Sequence, residues 1–121
     1  MKLTYINLRG ERHPLCYNLL AVEEICDEFG SLDGMREAID SEDQAKMISA
    51  VGKVLRALLD GGRAYCQEME IELPRPIRNP SALIDVTDPD TVKAVFATIT
   101  ADKETTVEAT PKNAEATPDA Q

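Results

Sequence analysis

Apolar and polar positions change period along this chain, and the changes mark out its elements. Residues 3–8 alternate, with Thr4, Ile6 and Leu8 on one side and Leu3, Tyr5 and Asn7 on the other, as expected of a strand with one buried face. The charged run Arg9-Gly10-Glu11-Arg12 interrupts it, and Gly10 can supply the positive φ of a tight reversal. A hairpin over residues 3–17 is predicted. Pro14 lacks an N–H, so the returning strand should be short or at an edge. From residue 19 the period becomes helical, with Leu19, Val22, Ile25, Cys26 and Phe29 at three- and four-residue spacings. Asn18 stands before this helix as N-cap, and Gly30 follows it as C′ residue.

A short helical segment is expected between Ser31 and Asp40, with Ser31 as cap and Leu32, Met35 and Ile39 packing inward; Gly34 weakens it by roughly 1 kcal/mol. The strongest stripe follows. Met47, Ala50, Val51, Val54, Leu55 and Leu58 predict a helix over about 42–60, opened by a Ser41/Gln44 capping pair and ended by Gly61-Gly62. Residues 63–70 are expected to form a further helix burying Ala64, Tyr65, Cys66 and Met69. Pro74, Pro76 and Pro80 then make an extended connector. A short helix at 81–86 would turn Leu83 and Ile84 inward. Asp88-Pro89 reads as a cap and N1 proline opening a last helix, 89–100, through Val92, Val95, Phe96 and Ile99. The expected fold is therefore α+β and mostly α-helical: a hairpin followed by a small helical bundle, all in one domain over residues 1–100. Residues 101–121, with one Val, two prolines and many Thr, Ala and acidic positions, cannot bury enough surface to offset ordering and are expected to be a disordered acidic tail. Their repeated EATP is low complexity.

Charge narrows the partners. The chain carries −9, of which residues 1–100 contribute −6, from 11 basic against 17 acidic side chains. That opposes nucleic-acid binding, which ordinarily needs a basic patch, and favours solubility and a basic protein partner. No apolar stretch nears the eighteen or so residues of a membrane span, and no signal-peptide core opens the chain, so no membrane role and a cytoplasmic location are expected.

Candidate chemistry is thin. Cys16, Cys26 and Cys66 lack CxxC spacing, and His13 is the one histidine, so neither a zinc site nor any other cofactor is expected. A Cys16/His13 nucleophile pair fails because residues three apart on a strand point to opposite faces; reduced, partly buried thiols and a solvated His13 ring are expected instead. Glu23, Glu24, Asp27 and Glu28 lie in a helix without the loop of a calcium site and read as a solvated face. Gly61-Gly62-Arg63 lacks the phosphate-loop pattern, and Glu70 and Glu72 flank Ile71 in a polar stretch with nothing to raise a pKa. No catalytic, cofactor or metal residue is assigned, and a non-enzymatic role is expected.

Ile6-Asn7-Leu8-Arg9-Gly10-Glu11, Leu20-Ala21-Val22-Glu23-Glu24-Ile25 with Phe29-Gly30-Ser31-Leu32, and Leu55 to Arg63 follow an order that resembles the small tail assembly chaperones of long-tailed bacteriophages and related prophages. The resemblance covers roughly residues 1–100. It implies a non-enzymatic chaperone that acts in the host cytoplasm during virion morphogenesis. Such a protein binds the long, hydrophobic tape measure protein before tail tube subunits polymerise around it, and is absent from the finished virion. In several such phages a ribosomal frameshift extends the chaperone, and the acidic tail would then be the unshifted ending or a spacer. The resemblance transfers no residue-level binding site. Met35, Met47 and Met69 offer adaptable apolar contacts, although methionine at helical spacing ordinarily fills a core. Self-association through an edge strand at residues 15–17 is compatible with the pattern. A head–tail connector or tail completion protein, or a cytoplasmic protein–protein adaptor, would show the same lack of motifs.

Overall fold

The computed structural model describes residues 2–85 and 87–108. Strands β1 (Thr4–Leu8) and β2 (Glu11–Leu15) form an antiparallel hairpin, followed by α1 (Leu19–Phe29), α2 (Leu32–Ile39), α3 (Gln44–Glu68), a 3₁₀ turn at Pro80–Leu83 and α4 (Pro89–Glu108). The expected architecture, a hairpin and then a helical bundle, is the one observed.

The hairpin register runs from Thr4↔Leu15 to Leu8↔Glu11, leaving Arg9 and Gly10 as the two-residue loop. Both have positive φ, 59° and 73°, as a primed turn matched to strand twist requires. Arg9 is not a glycine, and the left-handed region costs it about 1–2 kcal/mol. Its guanidinium offsets this by an ion pair to Glu11 at 2.9 Å and by donating to the Arg75 carbonyl at 2.8 Å. The alternation holds: Ile6 and Leu8 are buried, whereas Tyr5 faces outward beneath the Arg12 guanidinium, 4.2 Å from the ring centre.

Caps govern the helix starts. Asn18 Oδ1 accepts from the Ala21 N–H, Ser31 Oγ from the Gly34 N–H, and Asp88 Oδ1 from the Asp90 N–H, each at the predicted position. Gly30 (φ 83°) ends α1. The Ser41/Gln44 pair is replaced by Asp43, whose carboxylate accepts from Ala45 and Lys46 while Ser41 Oγ accepts from Asp43 N–H. A carboxylate two residues closer to the free N–H groups is the stronger cap.

Gly61-Gly62 does not end a helix. The predicted helices 42–60 and 63–70 are one element, α3, and both glycines are buried within it. A Cβ on Gly61 would lie 2.6 Å from Asn18 Oδ1 and from the Cys16 carbonyl, and one on Gly62 would collide with the Pro14 carbonyl. Glycine is there to let β2 and the β2–α1 link lie directly on the helix. The contact is sealed by Cys16 N–H donating to the Leu58 carbonyl (3.1 Å) and Asn18 Nδ2 donating to the Gly61 carbonyl (2.9 Å). The helix stops at Glu70 instead, in the left-handed region (φ 57°): Ile71 N–H reaches the Cys66 carbonyl and Glu70 N–H the Gln67 carbonyl, a Schellman arrangement without its usual glycine.

The core is Ile6, Leu8 and Leu15 of the hairpin, Ala21 and Ile25 of α1, Met35 and Ile39 of α2, the stripe of α3 and Val95 of α4. Leu19, expected in the α1 stripe, is 73% exposed, because Ala21 and Ile25 set the buried direction. In α4 the inward face is Thr91, Val95 and Thr98, not Phe96, which is exposed; Thr98 satisfies its hydroxyl on the Ala94 carbonyl at 2.7 Å. Leu83 is likewise exposed. The connector is held by its main chain, since Arg63 donates to the Pro74 carbonyl (3.2 Å) as Arg9 does to that of Arg75. α4 runs on to Glu108, past the expected end at 100, because 101–108 contains neither Gly nor Pro and includes the good helix formers Ala, Lys and Glu. The rest of the expected disordered tail, from 109, lies outside the described residues.

Three substitutions separate these glycine and left-handed roles in a denaturation series. Gly62→Ala should cost about 1–3 kcal/mol through forced overpacking. Gly52→Ala, on an open helix face, should stabilise by about 0.5–1 kcal/mol. Glu70→Gly should stabilise by about 1 kcal/mol by relieving the left-handed residue.

Candidate functional site

An apolar groove of about 450 Å³ lies between the N-terminal half of α3 and the segment leading into α4. Its floor exists because α3 carries more apolar positions than one helix neighbour can cover. Val51 and Leu55 are buried, Met47 is half-buried, and Ile48 remains 42% exposed. Ile84 and Val92 form the opposite wall, and Gly52, with open space at its Cβ position, leaves a notch between them. Lys53 and Arg56 stand along one side of the groove, with Asp85 and Asp88 on the other. A volume in the 300–1,000 Å³ range with apolar walls and a sparse charged rim suits the side chains of a docked segment.

Lys53 and Arg56 also wall a second, polar cleft, which holds Glu24, Asp27, Glu28, Asp60 and Arg78. The acidic run of α1 is therefore only partly a solvated face. Glu23, Asp27 and Glu28 are exposed, and Glu28 meets Lys53 at 3.5 Å. Glu24 is half-buried and hydrogen-bonded to Asp60 of α3. Its carboxyl is pushed up to about 7, first by burial, then by the bond to Asp60 and the charges of Asp60 and Asp27. Glu24 thus holds its proton up to near-neutral pH beside the Asp60 side chain. Sequence spacing gave no sign of this pair, whose members lie on different helices.

His13 overturns the expectation of a solvated ring. In register with Ile6 it faces the core side of the hairpin, is 4% exposed, and its Nε2 has no hydrogen-bond partner among the described residues. It lines a cavity of about 60 Å³ with Pro14, Asp60, Arg63 and Ile77. Burial, followed by the charges of Arg9 and Arg63, lowers its pKa against the pull of Glu11, whose carboxylate is 3.9 Å away, and of the Leu8 carbonyl. Cys16 lies elsewhere, buried in the link that crosses α3 at Leu58 and Gly61. Burial pushes the Cys66 thiol up, which disfavours the reactive thiolate, and no disulfide joins the cysteines. Glu70 and Glu72 are exposed at the end of α3, and of the three methionines Met35 is core, Met47 lies in the groove and Met69 is 57% exposed.

Among the described residues no group of three His, Cys, Asp or Glu is placed to hold a metal ion, and no helix is long and apolar enough to cross a membrane. No family model, curated protein or solved structure matches the chain.

The two perturbed groups oppose each other in stability. Glu24, raised from 4.5 to about 7, costs stability progressively as pH rises through that interval, because the unfolded chain ionises first; His13, lowered below 6.5, costs stability as pH falls below 6.5. Glu24→Gln should therefore raise Tm at pH 8 and leave it nearly unchanged at pH 4. Between pH 6.5 and pH 4.5 the variant should lose stability more steeply on acidification than the native protein, which thermal scans across pH would reveal.

Proposed function

We propose that this protein is a non-enzymatic tail assembly chaperone of a long-tailed phage or prophage, acting in the bacterial host cytoplasm. In this reading it holds the tape measure protein, a long apolar helical chain, until tail tube subunits assemble around it. The observation that carries the reading is the groove beside α3, whose apolar floor and walls suit the ridge of an amphipathic helix: side chains at i, i+3, i+4 and i+7 would enter it in turn. Two further features support it. The strand, Arg9-Gly10-Glu11 turn, helix and Phe29-Gly30-Ser31-Leu32 order that carries the resemblance spans the elements from β1 to the start of α2, against which the groove-bearing helix packs. The net charge of −9 gives a soluble carrier that repels its own kind when loaded.

Co-expression with the tape measure protein of the same phage or prophage tests the assignment. The native chain should co-purify with that protein and keep it in the soluble fraction, and Ile48→Asp should abolish both effects while leaving the far-ultraviolet dichroism unchanged. A native chain that does neither sinks the assignment. Recovery of the protein from purified particles would point instead to a structural tail component.

A further inference from the structure

Two concavities meet beneath the connector. The polar cleft, of about 430 Å³, and the small cavity beside His13 have Asp60, Ile77 and Pro80 in common, so one passes into the other around Asp60. On the cleft side Glu24 of α1 is hydrogen-bonded to Asp60 of α3, with Asp27 and Glu28 along the same wall. On the cavity side His13 of β2 is almost fully buried, and its Nε2 has no partner among the described residues.

What these groups lack is a donor. The Leu8 carbonyl favours the ring proton on Nδ1, so neutral His13 offers Nε2 as an acceptor. Glu24, raised to about 7, keeps a proton where a neighbouring cation would otherwise let it ionise. The basic side chains at hand do not fill that place. Lys53 is paired with Glu28 at 3.5 Å, and Arg63 donates to the Pro74 carbonyl. Arg9 is taken by Glu11 and the Arg75 carbonyl, and Glu11, 3.9 Å from Nε2, is thereby engaged as well. Arg56 and Arg78 line the cleft but make no ion pair among the described residues. Glu23, the remaining acid of this stretch of α1, is exposed.

We propose that this depression binds a guanidinium group, the arginine side chain of a partner polypeptide, between the carboxyl groups of Glu24 and Asp60, with a further N–H directed at His13 Nε2. A guanidinium carries five N–H donors in a planar fork, enough to meet two carboxylates and an imidazole together, whereas an ammonium has three. On entry it replaces the Glu24 proton, which leaves to solvent, so both carboxylates are ionised in the complex. The net charge of −9 favours such a basic partner. Binding here requires neither an occupied groove nor a tape measure protein.

Side-chain carboxyl NMR of the full chain, titrated with N-acetylarginine methylamide, tests it, with the citrulline analogue as a control of nearly equal shape and no charge. Free Glu24 should titrate at about 7. Saturation with the arginine compound should lower that to about 6 or below, as an opposite charge in contact does. By reciprocity the compound should bind about tenfold more tightly at about pH 8 than at about pH 5. The citrulline compound should have neither effect. Asp60→Asn should abolish binding, and Glu24→Gln should weaken it and remove most of its pH dependence, with circular dichroism confirming that both fold. His13→Gln, which keeps an acceptor but does not titrate, should bind more tightly than His13→Phe and retain the dependence due to Glu24. A free Glu24 that titrates like an ordinary carboxyl, equal binding of the citrulline compound, or an Asp60→Asn chain that binds like the native one overturns the proposal. Preference for free arginine over the blocked compound would overturn the assignment to a polypeptide.

Discussion

Two adjacent glycines in the middle of a 25-residue helix allow main chain to lie on main chain, and nearly every other placement follows from that contact. Side chains at either position would push β2 and the start of α1 away from α3 and break the Cys16–Leu58 and Asn18–Gly61 hydrogen bonds. Asn18 serves both sides at once, capping α1 with its oxygen and clasping α3 with its amide. The inherent weakness of glycine within a helix, about 1 kcal/mol per residue, is offset by this tertiary anchoring. The same contact lowers His13 onto Asp60 and Arg63 and brings Glu24 against Asp60.

How much of this could be read in advance depended on the range of the interaction. Turn and cap positions were legible because their chemistry is local: Gly10, Asn18, Gly30, Ser31 and Asp88 act on main-chain groups within four residues. The double glycine misled because a helix-ending glycine and a close-approach glycine look alike in one sequence. A signal was nonetheless present, since Gly61-Gly62 and Cys66 continue the phase of Val51, Leu55 and Leu58. His13 was also within reach, because it shares the parity of the buried Leu15. Glu24 and Asp60 were not, being brought together only by the packing of α1 on α3. The groove was half visible: its floor is the α3 stripe, while its wall at Ile84 and Val92 depends on where an irregular connector settles.

The molecule is polarised along α3. One end gathers the groove, the other the exposed apolar turn, and the Glu24 and Asp60 carboxyl groups and the buried histidine lie on the stretch between. The polar cleft shares Lys53 and Arg56 with the groove, so the two concavities have one basic wall in common.

The connector that carries the groove's far wall is held by Arg9 and Arg63, and both grip carbonyl oxygens of the main chain. Every amino acid possesses that atom. Substitutions along residues 74–76 can therefore accumulate without loosening the strap, leaving the neighbouring positions free to drift in size and polarity. The clasp is in this sense indifferent to sequence, and it leaves the groove's far wall free to change shape while the scaffold beneath stays the same.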